Sequence, residues 1–209
     1  MMINKRMYRE LNRGMGILFF IVAVIVTPFA CNQGGGNLFG ENILPSFRAN
    51  LSDDELYLYN LMMNYRHQNG LASIPVSSNL SCVARIHARD LELHPPAKPC
   101  SMHSWSRYGS WKPFCDTGGG SGKFMWTKPA ELTGYSGKGY EIAAWTSDRI
   151  DPGTALSLWI GSSAHNAVII NAGTWNRSRW SAVGLAISDH YALVWFGTEP
   201  DIVSKSPYY

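Results

Sequence analysis

The four cysteines are the residues whose chemistry depends most on where the protein resides: Cys31, Cys82, Cys100 and Cys115. Cys100 and Cys115 flank a Trp-rich loop, and we expect a disulfide bond between them to staple it. Cys82 lies at a half-buried position of a predicted helix, where a packed free thiol or an intermolecular bond are the two interpretations. No Cys-x-x-Cys or Cys/His spacing predicts a structural zinc site.

Four of the six histidines have positions that favour structural roles. His87 falls on the apolar stripe of a predicted helix, so we expect a hydrogen-bonded packing residue. His67 and His94 lie at helix ends, where solvation or an interaction with the helix dipole is the default. His190 lies at the tip of a predicted hairpin and should be exposed.

The N-terminus is typical of an export signal. Residues 1–16 carry four basic residues and one acidic residue, and residues 17–30 are uncharged and apolar. Fourteen residues are short for a membrane span, which needs about 20, but they suit the apolar region of a secretory signal. Cys31 follows a small residue and precedes a Gly/Asn-rich stretch, as in bacterial lipoprotein signals whose cysteine is lipidated after cleavage. Ordinary secretion and an uncleaved anchor are the alternatives.

All three interpretations place the remaining protein outside the cytoplasm, either secreted or as a cell-envelope lipoprotein. They divide the chain into a signal peptide at residues 1–31, a flexible tether at 32–50 and one folded domain at 51–209. Contact with a membrane is then expected only through the N-terminal segment or a lipid on Cys31.

Charge and aromatic content restrict the function classes. Beyond residue 16, the chain has 14 Lys and Arg and 14 Asp and Glu. A neutral domain without a basic stripe argues against a nucleic-acid partner. An aromatic content of 12% with only 16% charged residues excludes a disordered chain.

Local signals predict a series of helices followed by strands. Ser52 and Glu55 form a capping-box pattern that starts a helix over 53–69, and a second helix is expected over 79–93 before two prolines. Residues 97–140 should be mostly loop, with a short helix near 129–132.

An apolar run follows at 141–145, and Asp151 with Pro152 starts another helix. Residues 162–171 are predicted as one helical turn and an extended piece. Ser181–Ile187 and Tyr191–Phe196 form a β-hairpin pattern. The order indicates an α+β layered domain without βαβ alternation.

Several segments, in this order, resemble the CAP superfamily, also called the SCP domain, and particularly its bacterial members. The group includes cysteine-rich secretory proteins, insect antigen 5 and plant pathogenesis-related proteins. The segments are LYNLMMNYRHQNGL, NLSCVARIHARDL, CSMHSWS, GYEIAAW, LWIGSSAHNAVIIN and SAVGLAISDHYALVWFG. The resemblance implies a CAP-type α-β-α sandwich, with a central antiparallel sheet flanked by helices.

The resemblance also implies a groove lined by two histidines and two acidic residues. By position in the matching segments, His103 and His165 are the histidines and Glu141 is one acid, whereas the second acid falls on Ser162. Two imidazoles and a carboxylate could hold zinc or a similar divalent ion, or act as a general acid and base. Trp105 and Trp111 are expected to line a ligand surface there.

Three functions are compatible with such a groove. The first is an extracytoplasmic binding module for a divalent metal, a small apolar ligand of the lipid or sterol type, or an extracellular protein partner. The second is a peptidase-like hydrolase that uses His103, Glu141 and His165 as catalytic residues with a metal or a nearby serine. The third is a structural surface protein with a vestigial site. Whether the protein is an enzyme is left open, with binding favoured. The serines near the two histidines are Ser101, Ser104, Ser162 and Ser163.

Overall fold

A computed structural model describes residues 51–118 and 122–201 of the 209-residue chain. The predicted signal peptide, the lipidation of Cys31 and the tether at 32–50 lie outside the described residues. Among the residues that the model describes, no helix has the length and apolar character needed to cross a membrane.

Helices precede the last two strands along the chain, as the sequence predicts. The elements are α1 Asp53–Gln68, α2 Ser78–Leu93, α3 Gly122–Trp126, α4 Lys128–Thr133, β1 Gly139–Trp145, α5 Pro152–Gly161, α6 Ser163–Ile169, a 3-10 turn Gly173–Trp175, β2 Ala182–Ile187 and β3 Tyr191–Gly197. The two long helices and the hairpin agree with their predicted bounds to within one residue. The helix α3 was not predicted from the sequence.

Side-chain caps start the two long helices where polar residues precede them. The Ser52 hydroxyl accepts a hydrogen bond from the backbone N–H of Glu55, and the Glu55 carboxylate accepts one from the N–H of Ser52. Ser77 caps α2 by accepting from the N–H of Leu80 at 2.9 Å. These bonds satisfy N–H groups that have no partner within the helix, so the predicted capping box is confirmed.

The three strands form an antiparallel sheet with the order β1-β3-β2. Glu141 and Ile142 of β1 pair with Trp195 and Val194 of β3. Strand β3 is buried along its whole length because it lies between the other two strands and beneath helices on both faces. The predicted antiparallel sheet and its closing hairpin are therefore confirmed.

Alternation along β1 assigns its side chains to two helical layers. Ile142 and Ala144 belong to the core shared with α1 and α5, whereas Ala143 belongs to the core beneath α2. Because strand side chains alternate between faces, Glu141 lies on the same face of the sheet as Ala143. The α-β-α sandwich is confirmed, and the α2 layer is the one that meets Glu141.

Disulfide bonding agrees with one cysteine prediction and corrects another. Cys100 and Cys115 are bonded, with their Cα atoms 5.0 Å apart, as predicted. Cys82 is also disulfide-bonded, and the described residues include no free cysteine. The interpretation of Cys82 as a packed free thiol is therefore wrong.

The segment 162–171 differs from its prediction. Residues 163–169 form the helix α6, Ile170 caps it, and Asn171 enters the left-handed region at φ 51°. Within 162–171, no extended piece follows the helix. The Arg66 guanidinium donates hydrogen bonds to the Ile169 carbonyl and the Asn171 side chain, so a tertiary contact with α1 satisfies the end of this helix.

Candidate functional site

His103 lies in a turn that the Cys100–Cys115 disulfide closes. Within this loop, Trp105 and Phe114 exchange backbone hydrogen bonds in both directions, which forms an isolated antiparallel bridge. The backbone N–H of His103 donates to the Ser101 hydroxyl at 3.2 Å. The loop thus holds His103 by covalent and backbone restraints, although it contains no long helix or strand.

Glu141 meets two imidazoles beneath helix α2. Its side chain is fully buried; one carboxylate oxygen lies 2.8 Å from Nδ1 of His103, and the other lies 2.6 Å from Nδ1 of His87. A buried carboxylate needs hydrogen-bond donors, and the two ring N–H groups supply one for each oxygen. Both imidazoles therefore donate from Nδ1 to Glu141.

His87 is the member of this cluster that sequence reasoning did not assign to the site. It is buried, and its Nε2 lies 3.0 Å from the carbonyl oxygen of Ser104. A carbonyl can only accept, so Nε2 donates to it, while Nδ1 faces the Glu141 carboxylate. The ring also stacks on Trp105, with centroids 4.1 Å apart. Its prediction as a hydrogen-bonded packing residue is correct, but the partner was not foreseen.

Charges within the cluster offset the cost of burial. Burial alone acts to raise the pKa of Glu141, but the charge of His87 and the hydrogen bonds from both histidines outweigh it and lower that pKa. Burial acts to lower the pKa of His103, and the hydrogen bond and charge of Glu141, with the charge of Asp116, outweigh it and raise that pKa. The carboxylate is thus held ionised, and His103 gains basicity.

The second ring nitrogen of His103 is the group that the cluster leaves open. The side chain is 21% exposed, and Nε2 has no hydrogen-bond partner among residues 51–118 and 122–201. With Nδ1 held by Glu141, the neutral ring keeps its lone pair on Nε2. That atom could bind a metal, accept a hydrogen bond or remove a proton.

His165 lies on α6 and is half-buried. Burial first, and then the charge of His103, lower its pKa. Its ring has no hydrogen bond to Glu141 or His103 in the described part of the chain. The structure therefore brings His103 and Glu141 into direct contact and places His165 within the electrostatic range of His103.

The serine positions do not form a nucleophile–base pair with these imidazoles. The Ser101 hydroxyl donates to the Asp116 carboxylate at 2.7 Å, and the Ser104 hydroxyl accepts from the N–H of Asp116 at 2.8 Å. Ser162 joins α5 to α6 and makes no side-chain cap. Within the described ranges, no serine hydroxyl is hydrogen-bonded to the ring of His103 or His165.

The two tryptophans expected to line a ligand surface differ in exposure. Trp105 is 2% exposed and lies behind the site, packed against His87, so its prediction as a surface-lining residue is wrong. Trp111 is half-buried, packs edge-on against Trp105 and donates its indole N–H to the Ser106 carbonyl. The aromatic rings support the histidine cluster from within.

Glu141 does not fit the role of a metal ligand. Both of its oxygens already accept hydrogen bonds from imidazole N–H groups. In the described ranges, no group of three or more His, Cys, Asp and Glu side chains is arranged to hold a metal ion. Imidazole is a ligand type that zinc takes in proteins, and a neutral ring of His103 or His165 would offer one nitrogen each.

No family model matches the sequence, and the search of curated proteins found no match. Three of the solved structures that are similar to this chain illustrate the likeness. An extracellular protein containing an SCP domain from Bacillus anthracis aligns at a TM-score of 0.50 and 14% identity, over 70% of this chain and 40% of its own. A cysteine-rich secretory protein from Staphylococcus aureus aligns at 0.49 and 13%, over 70% and 38%. An outer surface protein from Borrelia burgdorferi aligns at 0.48 and 17%, over 69% and 91%.

At these identities the similarity concerns the fold alone. The chain spans about two-fifths of the length of the Bacillus and Staphylococcus proteins. The match to the Bacillus protein agrees with the α-β-α order, the antiparallel sheet and the helical layers seen here. This chain therefore has the CAP fold of SCP-domain proteins, as its sequence segments indicate.

Proposed function

We propose that the chain is an extracytoplasmic binding protein with the SCP fold, in which the imidazoles of His103 and His165 bind a divalent metal ion such as zinc. Glu141 then orients His103 and is not itself a ligand. The observation that carries this proposal is the hydrogen bond from Nδ1 of His103 to the buried Glu141 carboxylate.

Metal-binding histidines usually donate their second ring N–H to a carboxylate or carbonyl, which fixes the ring and makes it a better ligand. His103 has this arrangement, with Nε2 left to face a ligand. Burial lowers the pKa of His165, which keeps this ring neutral and able to coordinate. A bound zinc ion would supply a positive centre with further coordination positions open to water or a partner group.

Three observations support a location outside the cytoplasm. The Cys100–Cys115 disulfide is typical of an oxidising compartment, and the N-terminal sequence has the pattern of an export signal. The structural neighbours are described as extracellular, secretory or outer surface proteins.

The other ligands expected for the groove have less support. A depression along α5, lined by Asp151, Thr154, Leu158 and Ser162, is open to solvent. Enclosure is what a small apolar ligand such as a lipid or sterol requires, so this surface does not favour one. An extracellular protein partner is the alternative ligand.

The decisive experiment is zinc titration of the purified protein by calorimetry, with a parallel thermal shift. We expect a zinc-dependent rise in Tm for the wild type that is lost in His103→Ala and in His165→Ala. His67→Ala is the matched control, because this histidine is exposed and its ring is hydrogen-bonded to the Ser73 hydroxyl. No zinc-dependent shift in the wild type, or an equal loss in the control, would reject the metal site.

A hydrolase is the second candidate, and the same His103–Glu141 pair is the observation that favours it. A histidine oriented by a buried carboxylate is the general-base arrangement of nucleophilic hydrolases. The absence of a serine hydroxyl at either imidazole, among the described residues, argues for activation of water. Assay against a fluorogenic peptide library, with His103→Ala as the control, tests it; equal turnover in both proteins rejects it.

A further inference from the structure

We propose that Asp116 is a positioning residue of the candidate site: it holds the Ser101–Ser104 turn so that the His103 ring keeps its hydrogen bond to Glu141. The reason for this positioning rests on the proposed function, whereas the hydrogen bonds that hold the turn do not depend on it. The sequence resemblance does not assign a role to Asp116, which follows Cys115 at the far end of the disulfide-closed loop.

Three hydrogen bonds join Asp116 to both ends of the turn. Its carboxylate accepts from the Ser101 hydroxyl at 2.7 Å, its carbonyl accepts from the Ser101 N–H at 2.7 Å, and its N–H donates to the Ser104 hydroxyl at 2.8 Å. The same Ser101 hydroxyl accepts from the N–H of His103. Asp116 is thus separated from the backbone of His103 by a single side chain.

Burial makes these contacts specific. Asp116 and Ser104 are 7% and 6% exposed, so a carboxylate and a hydroxyl with few water contacts must find their partners within the protein. The N–H of Gly118 adds a fourth, longer bond to the carboxylate at 3.3 Å. The Cys100–Cys115 bond brings the two strands of the loop together, and the Asp116 contacts then set the orientation of the turn that carries His103.

The Asp116 carboxylate also acts on the ring through space. Its negative charge is among the causes that raise the pKa of His103, after the larger effects of burial and Glu141. A second carboxylate therefore acts on His103 from the loop, whereas position 162, where the resemblance leads one to expect it, holds a serine.

Nitrogen-15 NMR of histidine-labelled full chain tests the proposal, because the two-bond ring spectrum shows which nitrogen of His103 carries the proton. We expect Asp116→Ala and Ser101→Ala to lose the single Nδ1–H tautomer and to weaken zinc binding about tenfold. Asp116→Asn should retain the tautomer, since its amide oxygen can still accept from Ser101. Asp148→Asn, which removes an exposed carboxylate, is the control for net charge.

A wild-type His103 spectrum in Asp116→Ala or in Ser101→Ala would overturn the proposal. If Asp116→Ala fails to fold, Ser101→Ala decides, because it removes only one hydroxyl from a half-buried position. The NMR readout needs no metal. A wild type that binds no zinc therefore rejects the proposed function, while the tautomer spectra still judge the role of Asp116.

Discussion

Two buried glutamates of this protein, Glu55 and Glu141, differ in what surrounds them. They are 4% and 6% exposed. Glu55 accepts from the N–H of Ser52 and from two nitrogens of the Arg85 guanidinium, at 2.6 and 3.1 Å. Glu141 accepts from two imidazoles. The two carboxylates are thus similarly buried, but Glu55 has a donor that stays charged, whereas Glu141 has donors that can lose a proton.

The partner type determines what each carboxylate can do. An arginine stays charged at any pH that proteins experience, so Glu55 joins α1 to α2 as a constant link. Histidine changes protonation near neutral pH, and His103 leaves a nitrogen open at the surface of the cluster. We therefore interpret Glu55 as a structural contact and Glu141 as the residue that sets the chemical state of a site.

Alanine substitution should show the largest contrast between the two glutamates. Glu141→Ala removes the carboxylate from a fully buried histidine pair, a change that typically costs about 3–5 kcal/mol. Glu55→Ala removes one partner of a capping box and a partly exposed ion pair, and we expect about 1–2 kcal/mol. Urea unfolding followed by tryptophan fluorescence measures both free energies of unfolding. A larger loss for Glu55→Ala would contradict this comparison.

Glutamine substitution should separate the two residues in zinc affinity. Glu141→Gln keeps the volume but removes the charge that orients His103, so we expect a 10- to 100-fold weaker affinity. Glu55→Gln should bind zinc as the wild type does, because its contacts are remote from the site. Calorimetric titration of the three proteins checks this. Equal affinities would remove Glu141 from the proposed site.

The pKa of His103, and the stability that depends on it, should change when Glu141 is replaced and stay the same when Glu55 is replaced. In the wild type, NMR titration should place the pKa of His103 above its ordinary value of 6.5 and that of His165 below it. The protonated His103 thus contributes stability that is full below pH 6.5 and is lost as pH rises through the raised pKa. Glu141→Gln should lower the pKa of His103, and Glu55→Gln should leave it unchanged. The same pKa in all three proteins would refute the coupling.

A third glutamate–histidine pair should show the smallest effect. His190 pairs with Glu92 at 3.0 Å, but its side chain is 44% exposed at the hairpin tip. Solvent screens such a pair, so His190→Ala should cost about 0–1 kcal/mol and leave zinc affinity unchanged. Chemical unfolding measures this cost. A loss of unfolding free energy as large as that of Glu141→Ala would contradict the view that burial makes the histidine pairs of Glu141 stronger than the His190–Glu92 pair.

Much of the fold could be predicted because its signals are local. Ser52 with Glu55 starts α1, and two runs rich in aromatic and β-branched residues, separated by a short turn, form β2 and β3. The helix α6 was only partly predicted, because Arg66 of α1 satisfies its C-terminal end from a distant position in the chain. The residue at which a helix ends depends on such tertiary contacts as well as on local propensity.

The resemblance led us to expect His103 and Glu141 near each other, and it did not predict the geometry of their contact. His103 and Glu141 do meet. His87 was missed as a site residue because the spacing of apolar residues on α2 shows which face is buried and does not identify the polar group opposite. Likewise, no sequence pattern ranks Asp116 above Ser162 as a partner of His103.

By itself, the sequence determined the starts of the two long helices, the hairpin and the cysteine pair at 100 and 115, since each depends on residues close along the chain. Only the tertiary structure decided that Glu141 accepts from two histidines, one of them 54 residues earlier. Packing of α2 on the sheet brings the His87 ring to the Glu141 carboxylate. Because a buried carboxylate is costly without hydrogen bonds, the donors that the fold places beside it stay bound to it. The chemical state of His103 follows from that long-range contact.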